Sequence, residues 1–315
     1  MTFRPSDLKL LAMIRIKLIA MGALVLALST QAASAQDNSS DESTIVVTGQ
    51  LEEAEEQVET LTRTITRRPR SGKPLARRYD GICIGVFGMS ENFAHVLMGR
   101  IEENARALGI GVMDGGCQAN TIIAFTPDSR KEIERLRKEE PWLFKTLLDY
   151  EYNRILRGNG AAQSWQSTKL KGANGMEFAT VMMGSPPREV QVNKQPVASN
   201  IAEQVRVDVE GSIVVFDSAY VPGKTVEQLA DYATMRLFAP TEDTLVDGGG
   251  EIETILSLFA QDDMPPKGLT HFDRAYLNAL YALPVTAGGA ALDDATWSAY
   301  RKSNPELEIE QPADD

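Results

Sequence analysis

The apolar run from Leu18 to Leu28 constrains this chain before any other feature does. Arg4, Lys9, Arg15 and Lys17 precede it with Asp7 as the single acid, and Ala33-Ser34-Ala35 follows with the small-x-small spacing that signal peptidase accepts. The run is well short of the roughly 20 residues a spanning helix needs. Residues 1–35 are therefore expected to be a cleavable export signal, cut after Ala35. The remainder is expected to fold and act in the periplasm or outside the cell. No later stretch is apolar for long enough to span a bilayer, and no lipobox cysteine suggests a lipid anchor.

That compartment sets the reading of the two cysteines, Cys83 and Cys117. An even, minimal pair in oxidising surroundings predicts one structural disulfide, since a redox pair would more typically sit as C-x-x-C. The leader carries a net +3, so the rest of the chain carries −15 against −12 for the whole. Such an acidic protein repels nucleic-acid phosphates and anionic membranes. The basic stretch Arg63, Arg67, Arg68, Arg70, Lys73, Arg77 and Arg78 is the exception. It reads as a solvated spacer, with an acidic surface of the same protein or lipid headgroups as the other surfaces it could touch.

Residues 36–78 are expected to form a disordered arm, with Glu52–Thr62 at most transiently helical, because small, acidic and then basic residues bury too little apolar surface to order themselves. Within it, Thr44-Ile45-Val46-Val47-Thr48-Gly49 is a short β-prone island. It resembles the coupling box that follows the signal in TonB-dependent outer-membrane receptors. That resemblance implies Ile45, Val46, Val47, Thr48 and Gly49 as a strand docking on a TonB-like coupling protein. The long series of alternating strands of a receptor barrel is absent from the sequence.

The remaining residues predict an α+β (or α/β) fold with a mixed sheet and packed helices. Two subdomains are expected, 79–160 and 161–284, followed by a loosely packed acidic tail over 285–315. Strand-like runs fall at Ile82–Gly88, Thr121–Phe125, Ser164–Thr168, Glu177–Met183, Val205–Val209 and Gly211–Asp217, with a hairpin connection expected at Lys171–Gly175. Helical spacing follows Ser90, Ser129, Trp142, Thr225 and Thr270, and a short helix is expected over Ile252–Phe259.

The order strand Ile213–Asp217, helix Thr225–Phe238, glycine loop, then Leu269-Thr270-x-x-Asp273-x-x-Tyr276-Leu277-x-x-Leu280-Tyr281 resembles the catalytic half of zincin metallopeptidases. The segment Phe272–Tyr281 is also similar to uncharacterised secreted alphaproteobacterial families. A zincin helix carries H-E-x-x-H, two imidazoles one turn apart on zinc with a Glu to deprotonate its water. Here the slot reads Asp231-Tyr232-Ala233-Thr234-Met235, and the chain has two histidines, His95 and His271, on separate elements. No metal site and no cofactor is expected from these residues. His95, four residues from Glu91, reads as a helix-boundary residue.

No G-x-S-x-G elbow or phosphate loop occurs. The pairs Asp208 with Glu210 and Asp217 with Asp231 would do acid–base work only if brought together across a cleft. Asp217, Asp231, Tyr232 and Asp273 are the candidate catalytic positions. The leading expectation is a non-catalytic peptide- or protein-binding module on a degenerate metallopeptidase-like scaffold, with a periplasmic protein or peptide as partner. A zinc-independent hydrolase using carboxylates and tyrosine, or a structural envelope protein, are the alternatives.

Overall fold

The structure, a computed structural model, describes residues 39–69, 73–158, 160–192, 204–243, 252–260 and 264–307. The expected export signal, the glycine loop at 248–250 and the end of the acidic tail lie outside them. In chain order the elements are α1 (Ser39–Ile65), β1 (Ala76–Arg77), β2 (Ile84–Phe87), α2 (Glu91–Ala107), β3 (Thr121–Thr126), α3 (Ser129–Glu139) and α4 (Asp149–Leu156). Then come β4 (Ala162–Gly172), β5 (Ala179–Met183), β6 (Arg188–Val192), β7 (Val205–Asp217), α5 (Val226–Phe238), α6 (His271–Ala282) and α7 (Ala290–Ser303). The fold is α+β, as the patterning predicts, with a mostly parallel mixed sheet. Among the described residues no helix is long and apolar enough to cross a membrane.

β7 is the spine of the sheet. Antiparallel β4 pairs with it along one edge from Ala162↔Phe216 to Gly172↔Val205. The other edge is shared by two parallel partners, β1 at Ala76↔Val207 and Arg77↔Asp208, and β3 from Thr121↔Ser212 to Thr126↔Asp217. Between them the ladder is interrupted, and the Arg78 guanidinium fills the gap. It donates to Glu210 O at 3.4 Å, Asn120 O at 3.3 Å and Ser212 Oγ at 3.1 Å. Buried carbonyls need such partners wherever a strand does not supply them. β2 completes the sheet beside β3.

Both faces of β3 and of the C-terminal half of β7 are covered, which is why the runs Thr121–Phe125 and Ile213–Phe216 are near-continuously apolar. On one face Ile123, Phe125, Val214 and Phe216 pack under α2, α5 and α6, with Phe125 stacked on Phe216 at 4.9 Å. On the other, Ile213, Val215 and Trp165 pack with Ile133 of α3, Tyr152 and Ile155 of α4, and Phe144. The Cys83–Cys117 disulfide forms as expected and ties the start of β2 to the loop entering β3.

Several expectations are corrected. The two anticipated subdomains share this one sheet, and residues 43–315 form a single compact unit. The disordered arm over 36–78 is replaced by α1 and the strap after it, with Val58, Ile65 and Leu75 fully buried. The segment Ile45–Gly49 lies inside α1 as helix rather than as a strand. Flanking helix formers carry it, because propensity at a few β-branched positions is a weak preference. The basic stretch is not a spacer. Arg63 and Arg68 bind Asp293, Arg67 binds Asp243, and Arg77 donates to Leu280 O, Leu283 O and Pro284 O at the end of α6.

Ala179–Met183 pairs with β6 rather than with β4. The helix expected from Trp142 is split into a 3-10 turn, Pro141–Phe144, and α4, and the helix at 252–259 is reduced to the turn Ile255–Ser257. The supposedly loose tail contains α7, which buries Leu292 and Trp297.

Candidate functional site

α5 is the element on which any peptidase-like reading depends, and it is enclosed on every side. A Thr225–Gln228 capping box starts it, and all residues from Gln228 to Phe238 are buried. Asp231 and Met235, one turn apart, are both fully buried. The Asp231 carboxylate accepts from Arg100 Nε at 2.8 Å, Arg100 Nη2 at 3.0 Å, Asn104 Nδ2 at 2.7 Å and the Leu269 backbone N–H at 2.8 Å. Gly268 makes the last of these possible, since a Cβ there would stand 2.5 Å from Asp231 Oδ2. Asp231 is thus a junction joining α2, α5 and the entry to α6. The Tyr232 ring is packed edge-on against Phe259 at 5.0 Å and tilted against Phe216 at 5.8 Å.

Asp273 is also an internal anchor. It accepts from Thr254 Oγ1 at 2.6 Å, Ile255 N at 2.8 Å, and Thr270 N and Oγ1 at 2.9 and 3.0 Å. Burial pushes its carboxyl above the ordinary carboxylate range, against the hydrogen bonds from Thr254, Thr270 and Ile255, which pull it down. The Leu-Thr-x-x-Asp signature is therefore a capping box that also fastens the 254–257 turn. Asp217 caps the turn after β7, accepting from Ala219 N at 2.9 Å and from Ser129 N at 3.3 Å.

The four candidate catalytic positions are not brought to one cleft: each carboxylate has its own partners, and none shares one with another. Among the described residues no three His, Cys, Asp or Glu side chains converge as a metal-ligand group. His95 is exposed on α2, 3.7 Å from Glu91, and His271 is exposed at the first turn of α6. Asp208 and Glu210 do come together, through Lys171, which lies 3.0 Å from the first and 3.8 Å from the second.

Sequence reasoning missed a second surface, the free side of β4. Gln163, Ser164 and Trp165 are buried, but Gln166 to Lys171 are half-exposed, and β4 has β7 as its strand partner on one edge alone among the described residues. Side chains alternate along it: Gln166 donates to Leu237 O and Ala239 O at the end of α5, while Lys169 and Lys171 face the acids of β7. Glu210 is the extra residue of a bulge, with Ser167 opposite Gly211 and Thr168 opposite Val209. The continuous polar run Gln166-Ser167-Thr168-Lys169 within a strand was the available signal, since a buried central strand does not read this way.

No family model matches the chain, and no curated protein and no solved structure matches it.

Proposed function

We propose that this protein is a non-catalytic peptide- or protein-binding module of the periplasm or cell exterior, built on a degenerate zincin-like scaffold. The observation that carries the reading is the open edge of β4 from Gln166 to Lys171. An extended segment adding there as a further strand gains main-chain hydrogen bonds from groups β7 does not use, and the alternating side chains supply selectivity. The burial of Asp231, Tyr232 and Asp273 supports a binding role over a hydrolytic one, because each is committed to holding helices together.

The experiment is selection of binders from a displayed library of extended peptides, followed by hydrogen exchange on the complex. Bound peptide is expected to slow exchange at the amides of residues 166–171. Binding without protection there overturns the edge assignment. Stoichiometric zinc, removed by chelator together with a measurable peptidase activity, overturns the non-catalytic reading itself.

A further inference from the structure

On the face of the sheet opposite α5, beneath the Pro141–Phe144 turn, lies a pocket of about 390 Å³. That is within the roughly 300 to 1,000 Å³ of small-molecule sites. Trp142 and Trp165 wall it, Gly211 lies at its floor between Asn120 and Ser167, and Gln118 and Glu210 are exposed along it. The two tryptophans differ in state. Trp165 is buried, stacked on Phe144 at 4.9 Å, with its indole N–H given to Leu143 O. Trp142 is 59% exposed, and its indole N–H is held by the Glu140 carboxylate at 2.7 Å. Its pyrrole edge is therefore engaged while the ring remains in water, an apolar platform with its polar handle already satisfied.

The charged side chains along the pocket's β4–β7 rim are paired with one another. Lys169, Lys171 and Arg206 stand against Glu177, Asp208 and Glu210, with Arg206 at 2.8 Å and Lys171 at 3.0 Å from Asp208, and Glu210 within 4.0 Å of both lysines. The further cation beside the pocket, Arg78, has both Nη atoms engaged by Glu210 O, Asn120 O and Ser212 Oγ, so an anionic ligand would have to displace those hydrogen bonds. The Glu210 carboxylate, the Gln118 amide and the Ser167 hydroxyl nevertheless offer hydrogen-bonding groups beside an exposed indole face. Flat C–H surface on one side and hydroxyls around the rim is the chemistry of a sugar ring.

We propose that this pocket binds a neutral sugar ring of a saccharide, stacked on Trp142 and hydrogen-bonded through its hydroxyls to Glu210, Gln118 and Ser167. The pocket shares Ser167 with the open β4 edge, but its stacking platform Trp142 and its other hydrogen-bonding groups, Gln118 and Glu210, lie off that strand, so sugar binding does not depend on peptide addition there.

Two of the three tryptophans line the pocket, so intrinsic fluorescence reports on it, with Trp297 buried in α7 as the third. The full chain is titrated with maltotriose, cellotriose and the trisaccharide of N-acetylglucosamine. At least one is expected to give a saturable shift with a Kd of about 1 mM or tighter. By calorimetry, Trp142→Ala is expected to weaken that binding by at least about tenfold. Gly211→Val places its new Cβ 3.7 Å from Asn120 O and Ser167 Cβ, ordinary contact distance, so it fills the pocket and is expected to abolish binding. Trp297→Phe is expected to keep the response. Absence of a saturable shift with all three sugars overturns the proposal, as does binding that survives both Trp142→Ala and Gly211→Val. Saturation by benzyltrimethylammonium in place of the sugars would make the site one for an organic cation and overturn it equally.

Discussion

Asp231→Asn replaces a carboxylate that accepts four hydrogen bonds with an amide whose nitrogen must face donors. Leu269 N and Arg100 Nη2 both point at Oδ2, and Arg100 Nε and Asn104 Nδ2 at Oδ1, so either orientation of the amide sets an N–H against N–H groups. Removing one partner of a buried ion pair costs about 3 to 5 kcal/mol. Arg100 keeps 28% of its side chain in water, so its charge can be partly rehydrated and the lower figure applies. For a domain of this size about 3 kcal/mol corresponds to a fall in Tm of roughly 6 to 12 °C. The assay is a thermal melt followed by circular dichroism. Asp217→Asn, which touches a half-exposed cap, serves as comparison and is expected to cost about 1 kcal/mol or less. Gly268→Ala should reproduce part of the Asp231 effect by driving a methyl group onto Oδ2. A Tm for Asp231→Asn within about 2 °C of the parent would refute the junction role, and loss of a measured turnover with intact stability would favour the hydrolase alternative.

The remaining predictions concern the N-terminal strap, an ion cluster and the disulfide. A chain begun at Tyr79 loses Val58, Ile65 and Leu75 from the core, worth about 5 to 9 kcal/mol against a typical total of about 5 to 15, and should show no cooperative melt. Burial opposes ionisation of Asp243, but Arg236, Arg67 and Arg154 outweigh it and hold the carboxyl below the ordinary range. Its contribution is therefore fully present above the unfolded value of about 3.9 and is lost as pH falls through the lower folded value. Asp243→Asn should lower Tm at neutral pH and flatten the acid limb of a Tm-versus-pH curve. Replacing Cys83 and Cys117 together by serine opens a 34-residue separation and should cost roughly 3 to 4 kcal/mol in the chain-entropy estimate, measured by denaturant melts with and without reductant.

The parts of the fold legible in the sequence are those whose signals are local. Thr225 and Thr270 start α5 and α6 as capping residues should, and the apolar runs at Thr121–Phe125 and Ile213–Asp217 are central strands. The unread parts depend on partners far along the chain. Seven basic residues between positions 63 and 78 resemble a linker when viewed alone, and nothing nearby reveals that Asp243 and Asp293 receive three of them. The β-prone island at Ile45–Gly49 shows the opposite failure, a weak local preference overruled by the helix running through it. For the site, Asp217, Asp231, Tyr232 and Asp273 stood out as chemistry-bearing types, but side-chain type does not reveal enclosure. The Trp142–Trp165 pocket was missed because its walls come from segments separated in sequence and joined by the sheet.

The arginine strap also sets a clock. Arg63 waits for a partner 230 residues further on, Arg67 for one 176 residues on, and Arg77 for carbonyls more than 200 residues on. At roughly 5 to 20 residues per second of synthesis, about ten to fifty seconds separate the appearance of Arg63 from that of Asp293. During that interval Arg63 and Arg68 lack Asp293, so the tie between the N-terminal helix and α7 cannot form until the last part of the chain has emerged, although β7 and Asp243 emerge earlier. A protein arranged this way has all the strands of its sheet before α7 exists and fastens its N-terminal helix to α7 last, which leaves that helix open to handling by other factors while the chain is completed.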